Sequence, residues 1–302
     1  MASRTNLLRR TAAVGTAASL ALALAACGSS SKGSSTKSST VPSAAVDKSI
    51  SVPAAIKSKG SITVATDASY APNEFYASDN KTIIGMDIDL ANALGQVMGL
   101  KVNVVDAKFD SIIPGLASGK YDLSLSSFTD TKEREKTVDF VTYYSAGTSL
   151  MVKSGNPEKL TPDTLCGKKV AVESGTVQQD PDIPDRSKTC TSAGKAAITP
   201  LVFPDESGAN LALSSGRADA VLADSPVAAY AAKQSNGQFE ITGSSYDTAP
   251  YGIAIPKTNG LTQPILQALK ALMSNGTYTT ILKKWGIDDG AITNPQINGA
   301  TS

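Results

Sequence analysis

Two stretches of this chain end in residues that could meet a ligand from opposite sides. "LASGKYDLSLSS", residues 116–127, and "LSSGRADAVLAD", residues 213–224, are related by a single offset that maps Leu116 to Leu213, Gly119 to Gly216, Asp122 to Asp219 and Ser127 to Asp224. Equivalent strands would therefore end in a hydroxyl, Ser127, and a carboxylate, Asp224. Between them in sequence lie Arg134, a cation inside the run "KEREK", and Glu173, an acid next to the turn residues Gly175 and Thr176. The chain has no histidine, which makes histidine-ligated zinc, Ser-His-Asp triads and histidine general bases impossible. An enzyme built on it would have to use carboxylates, Lys or Tyr. No catalytic residue, metal or other cofactor is expected.

Positioning those residues requires a scaffold, and strand alternates with helix along the body of the chain. The β-rich run "SITVATD" (61–67) leads into a proline-containing loop, "SYAPNEFYASDNKTIIG". A helix is predicted from Asp87, which could cap it, with Ile88, Ala91, Leu94 and Met98 at helical spacing. Strand "KVNVVDA", helix "FDSIIPGLASG" and strand "YDLSLSSF" follow. The second half repeats the order with "KKVAVES", "AITPLVF", "SGANLALSSG" and "ADAVLAD", then a helix "SPVAAYAAKQ" with Ser225 as N-cap and Pro226 in its first turn. Two helices close the chain near 261–273 and 277–285. Such alternation predicts an α/β fold with parallel strands and right-handed crossovers.

With 302 residues, 41% of them hydrophobic, the chain can fill two modest cores rather than one large one. The extended segments 143–155 and 244–257 bracket the second α/β repeat. If the C-terminal segment completes the first lobe, both must cross between lobes as a two-stranded hinge. Residues 57–148 with 251–302 then form lobe 1, and residues 149–250 form lobe 2. A ligand cleft lies between them, outside the carboxyl ends of the strands, where Ser127 and Asp224 face each other.

The N-terminus reads as an export signal over residues 1–26: basic "SRTNLLRR", an apolar run from Thr11 to Leu24, then small residues. It is too short for a stable membrane span. The junction "LAAC" resembles a bacterial lipobox, which would make Cys27 a lipidated first residue; the export route, general secretory or twin-arginine, stays open. Residues 27–56 open with "GSSSKGSSTKSSTVPSAAV" and have little to bury, so they should act as a flexible tether reaching roughly 25–30 Å. Localisation follows as exported and anchored to the outer face of the cytoplasmic membrane. Cys166 and Cys190 form an even leftover pair, expected as a structural disulfide. Loss of Arg4, Arg9 and Arg10 with the signal leaves 25 basic against 27 acidic residues, so no nucleic-acid partner is indicated.

The stretch "GMDIDLANALGQVMGLKVNVVDAKFDSIIPGLASGKYDLSLSSFTDTKEREKTVDFVTYY", with "VAVESGT", "SGRADAVLAD", "YGIAIPK" and "NGTYTTILKKWG", resembles family 3 of the bacterial extracellular solute-binding proteins, the polar amino-acid receptors of ABC importers. The similarity runs from about 57 to 286. It implies a type II periplasmic-binding-protein fold that closes on a free amino acid and delivers it to an ABC permease driven by an ATPase, with the receptor acting as a monomer.

By the same resemblance, Arg134 clamps the ligand carboxylate, aided by the Thr129 hydroxyl and the Ser127 backbone N–H; without it, Arg134 reads as one charge of a solvated run. Gly175 and Thr176 would offer backbone N–H groups to the carboxylate, and Asp224 would accept the ammonium. Tyr70 and Phe109 match ring positions against the ligand, although Phe109 reads equally as core. Asp67 and Glu173 would add negative charge and favour a cationic side chain, with glutamine or glutamate next; alternatively Asp67 caps a turn and Glu173 faces solvent. Val177 stands where many members carry a second Thr, and Asn73 replaces a frequent Phe. Two rival functions are a dehydratase of the same fold acting on prephenate-like acids, with Glu173 as proton donor, and a tethered amino-acid sensor.

Overall fold

The computed structural model describes residues 45–301; the export signal and Cys27 lie outside them. The first part of the chain forms α1 (Ala54–Lys59), β1 (Ser61–Thr66), the short strands β2 (Ser69–Tyr70), β3 (Glu74–Tyr76) and β4 (Ile83–Ile84), α2 (Met86–Met98), β5 (Lys101–Asp106), α3 (Phe109–Ala117), β6 (Leu123–Ser124), α4 (Lys132–Glu135) and the long β7 (Val138–Lys153). Next come β8 (Lys169–Glu173), a π-helical turn at Gln178–Asp182, α5 (Ile183–Ser192), β9 (Thr199–Phe203), α6 (Glu206–Ser214), β10 (Ala220–Asp224) and α7 (Ser225–Gln234). The long β11 (Phe239–Pro256) returns to α8 (Thr262–Ser274) and α9 (Thr277–Trp285).

One eight-stranded mixed sheet runs β5-β1-β6-β11-β7-β10-β8-β9, and β2–β4 form a separate three-stranded sheet. Strands β5, β1 and β6 are mutually parallel, as are β10, β8 and β9. Between these groups the two long strands pair antiparallel from Phe239↔Lys153 to Pro256↔Val138. Their register breaks between Thr242 and Ala249 and again at Tyr251/Gly252. Gly147 sits opposite the first irregular stretch, where a Cβ would come within 2.4 Å of Ser245 Oγ; only glycine lets the strands approach so closely there.

The apolar interior changes hands along these strands. On β7, Ala146 belongs to a core built with α2, α8 and α9, whereas Leu150 and Met151 belong to cores under β8 and β10. On β11, Ile241 packs with the latter and Tyr251 with the former. Helix α2 shows why its pattern works: Ile88, Ala91, Leu94 and Met98 are all buried, and each large aliphatic side chain contributes roughly 1.5–3 kcal/mol. Asp87 does not cap α2 as expected. The helix starts one residue earlier, and the fully buried Asp87 carboxylate accepts the Ser127 N–H at 2.9 Å and the Tyr143 hydroxyl at 2.8 Å.

The internal repeat survives as repeated bonding. Asp122 donates its N–H to Thr63 O and accepts the Thr63 N–H on its carboxylate; Asp219 does the same with Lys169. Gly119 and Gly216 take φ of 74° and 77° in equivalent turns after α3 and α6, which glycine adopts at little steric cost. Each turn is closed by an N–H returned from the next residue, Lys120 to Gly115 O and Arg217 to Ala212 O. Strand β6 is shorter than "YDLSLSSF" suggested, because the chain leaves the ladder after Ser124 and turns at Ser127, φ 52°. Cys166 and Cys190 are joined, with Cα atoms 5.5 Å apart.

Candidate functional site

A nearly closed cavity of about 10 Å³ lies where the C-terminal ends of β1, β6, β8 and β10 converge. Its walls include Asp67, Tyr70, Phe109, Ser127, Thr129, Arg134, Glu173, Thr176, Val177 and Asp224, and also three residues that sequence reasoning missed, Glu74, Ser126 and Gln178. Of the residues expected from sequence to bind the ligand, Gly175 alone stands off the wall. Its N–H donates to Gln179 Oε1 at 2.6 Å and its carbonyl accepts from Arg134, so its N–H is not presented to a ligand as expected. The Ser127 N–H, also expected to meet the carboxylate, is instead taken by Asp87.

Each wall residue is held by its element. Asp67 follows β1 and accepts the Phe109 N–H at 3.0 Å, satisfying an orphan donor at the start of α3 while it faces the cavity. The Phe109 ring stacks on Phe128 with centroids 4.2 Å apart, so it is core and wall at once. The Arg134 guanidinium lies 5.5 Å from the Phe109 centroid and 5.2 Å from that of Phe128. It donates to Thr129 O at 2.7 Å and to Gly175 O at 2.8 Å, and is therefore not a solvated surface charge. Helix α7 begins with Asp224 at the cap position, but the Asp224 side chain does not cap it. Its carboxylate accepts from Gln178 Nε2 and from the Tyr251 hydroxyl, both at 2.7 Å. Ser225, expected as the cap, instead accepts the Gly147 N–H.

Contacts across the cavity shut it. Tyr70 OH accepts the Asp224 N–H at 3.1 Å, Ser69 Oγ accepts the Glu206 N–H at 3.1 Å, Ser174 donates to Asp110 at 2.9 Å, and Lys108 pairs with Asp205 at 2.8 Å. Every one joins a residue before β7 to a residue after it.

The charge inside is unbalanced. Four carboxyl groups, Asp67, Glu74, Glu173 and Asp224, share the wall with one guanidinium, and Glu206 is buried nearby. Burial pushes all five upward from the ordinary carboxylate range. The neighbouring Asp87 pushes Glu74 further, while hydrogen bonds from Tyr251 and Gln178, together with the charge of Arg134, oppose the rise at Asp224. Burial lowers the Arg134 guanidinium to about 10 against the attraction of Asp224 and Asp130. Glu173 Oε1 is buried without a hydrogen-bond partner, so Glu173 does not face solvent. Val177 offers no hydroxyl to the cavity, whereas the neighbouring Thr176 hydroxyl donates to Glu173 O.

Residues 62–288 match the family described as bacterial extracellular solute-binding proteins, family 3. The arginine-binding protein ArgT of Corynebacterium glutamicum is 37% identical over 247 residues, covering 82% of this chain and 81% of its own. Among solved structures, an ancestral arginine-binding protein bound to arginine aligns with a TM-score of 0.69 at 37% identity, over 75% of this chain and 98% of that one. An ancestral amino-acid-binding protein, a precursor of cyclohexadienyl dehydratase, aligns at 0.66 and 35% identity, over 76% and 97%. The architecture shared with these structures is the type II periplasmic-binding-protein fold.

Proposed function

The chain belongs to the bacterial extracellular solute-binding proteins, family 3, and we propose that it captures a polar amino acid with a cationic side chain, arginine or lysine before glutamine or glutamate, and delivers it to an ABC permease. The observation that carries this is the cavity wall itself, where one guanidinium and an excess of buried carboxyl groups converge from opposite sides of the two long strands. A zwitterion buried there needs both its charges met. Arg134 can hold the carboxylate with two parallel N–H donors, and Asp224, already oriented by Gln178 and Tyr251, can accept the ammonium. Each such charge-assisted bond is worth about 1.5–3 kcal/mol. A second positive charge on the side chain would then meet Glu173, whose Oε1 lacks a partner, with Asp67 and Glu74 beside it.

In this proposal, residues 57–148 with 251–302 and residues 149–250 are lobes that open and close about β7 and β11. Closure is selected because only the shut cleft presents Arg134 and Asp224 to the same ligand. Lipidation at Cys27 would tether the monomeric receptor beside its permease, which suits hand-over at the membrane.

Calorimetry of the chain from Ile50 onward, against the twenty amino acids with ornithine and citrulline, tests the proposal. A basic amino acid should bind tightest; an acidic one binding tightest would overturn the assignment of Asp67 and Glu173 to the ligand's side chain. The dehydratase alternative draws on one feature, the buried Glu173 carboxyl with its raised pKa, which could donate a proton. Product formed from a prephenate-like acid, and lost in Glu173→Gln, would favour it over a binding role.

A further inference from the structure

Arg134 sits on α4, a helix of four residues. A single turn is too short to hold itself in water, so whatever fixes the guanidinium must come from outside the helix. On one side the answer is β11: Asp130 donates its N–H to Pro250 O at 2.9 Å, Thr129 bridges to Tyr251, and Gly252 donates to Phe128 O at 2.8 Å. On the other side it is the segment 291–300, which lies beyond the residues matched by the family.

This segment runs along β7 as a strap. It bridges Ala291 to Tyr144 and Ile297 to Val141, and Thr142 and Gln296 exchange hydrogen bonds of 2.9 Å. Asn298 accepts the Phe140 N–H at 2.8 Å and donates its own N–H to Phe140 O at 3.0 Å. The strap then leaves the strand and turns two N–H groups onto an acid just before α4 and onto the acid that ends it. Gly299 donates to Asp130 Oδ2 at 2.8 Å, and Ala300 to Glu135 Oε1 at 3.2 Å. Asp130 is completely buried and its Oδ1 has no hydrogen-bond partner, while its Oδ2 accepts from Gly299 beside the neighbouring Glu135 carboxyl group. Beyond Ala300, Thr301 lines a second pocket together with Thr129 and Thr131.

We propose that the strap is a positioning element of the ligand clamp, in which the Gly299 and Ala300 N–H groups anchor Asp130 and Glu135 and so fix the turn that carries Arg134. The inference rests on Arg134 holding the ligand carboxylate. Peptide N–H groups aimed at an acid before α4 and at the last residue of α4 limit rotation of the turn about its attachment to β11, and with it the direction of the guanidinium.

The test is a double-variant cycle on the full chain, read by calorimetry with L-arginine and by thermal unfolding. Gly299→Pro removes the donor to Asp130 and should weaken L-arginine binding about tenfold; Ala300→Pro, closer to the chain end, removes the second donor and should weaken it severalfold, and it carries the test if Gly299→Pro does not fold. In an Arg134→Lys background the same strap substitutions should cost little more, because coupled residues are not additive. If Arg134→Lys alone leaves affinity unchanged, the clamp assignment fails and the inference with it. If Arg134→Lys weakens binding but the strap substitutions have no effect, or their losses add in full, the strap is merely structural and only the inference is overturned.

Discussion

The Tyr251 hydroxyl donates a 2.7 Å hydrogen bond to Asp224 Oδ2, and the backbone of the same tyrosine bridges to Thr129. One residue of a long central strand thus touches the anionic side of the cavity with its ring oxygen and the segment leading to Arg134 with its main chain. Its hydrogen bond also opposes the upward push of burial on Asp224, which nonetheless stays above the ordinary carboxylate range. Tyr251→Phe should therefore weaken binding of a basic amino acid by about tenfold, the value of one hydrogen bond to a charged group. Isothermal calorimetry with L-arginine measures it, and an unchanged affinity would mean that Asp224 meets no ligand charge.

Arg134→Lys should cost more than loss of charge would suggest. The ammonium keeps the sign but not the planar fork that can grip both oxygens of a carboxylate, and it would no longer reach Thr129 O and Gly175 O together as the guanidinium does. Binding should fall by roughly ten- to a hundredfold, or about 1.5–3 kcal/mol. Asp224→Asn should cost a similar factor at the ammonium end. In both variants the loss should be shared by every amino acid that binds, because the groups affected are common to all of them.

Much of this was legible in the sequence because burial in strands and helices leaves periodic traces. The order of elements, the crossing strands and the pairing of Ser127 with Asp224 by a common offset all followed from patterns of that kind. What escaped was carried by polar residues whose sequence signature is that of a surface loop. Glu74 and Gln178 line the cavity, yet an acid in "YAPNEFY" or a glutamine after "SGTV" reads as solvated unless the opposing wall is known. The two backbone donors expected at Ser127 and Gly175 were spoken for by Asp87 and Gln179, partners brought close only by tertiary folding. The strap was invisible for the same reason, since "AITNPQINGA" carries no periodic signal and gains its shape from β7.

Glu173 should set the choice between ligands rather than the strength common to all. Its Oε1 is buried without a partner, an unfavourable condition that a guanidinium or ammonium would relieve. Glu173→Gln preserves shape and removes the charge. Affinity for L-arginine should drop by ten- to a hundredfold, whereas affinity for L-glutamine should hold or improve, since a neutral side chain no longer faces an acid. Competition binding of the two amino acids to wild type and variant gives the ratio directly. Equal losses for both would place Glu173 at the shared α-amino end instead.

The disulfide should act on stability and leave the site alone. Cys166 and Cys190 are 24 residues apart, and closing a loop of that length restricts the unfolded chain by about 3.5 kcal/mol in the chain-entropy account. The pair lies among Leu160, Leu165, Val170 and Ile183, in a core that contributes no residue to the cavity wall. Replacing both cysteines with serine should lower the denaturant midpoint accordingly and leave the dissociation constant for L-arginine within about twofold. A large change in affinity would show that the loop communicates with the cleft.

The pH dependence of stability should run opposite to simple acid denaturation over part of its range. Burial raises Asp87 to about 6, and burial with the adjacent Glu135 raises Asp130 to about 7, against an unfolded value near 3.9. A carboxyl group whose folded pKa is raised holds its proton more tightly when native. Its contribution is therefore complete below the unfolded value and is lost as pH climbs through the folded one. Between pH 5 and 7.5 the unliganded protein should lose on the order of 2–4 kcal/mol from these groups. A basic ligand reverses the sense for Glu173 and Asp224: its positive charges favour their ionised forms, so binding releases protons and affinity rises with pH. Urea midpoints at pH 5 and 7.5, with and without L-arginine, together with calorimetry in two buffers of different ionisation enthalpy, separate the two effects. An unliganded protein more stable at pH 7.5 than at pH 5 would mean that the buried carboxyl groups ionise at ordinary values, and binding without proton release would mean that no raised carboxyl group meets the ligand.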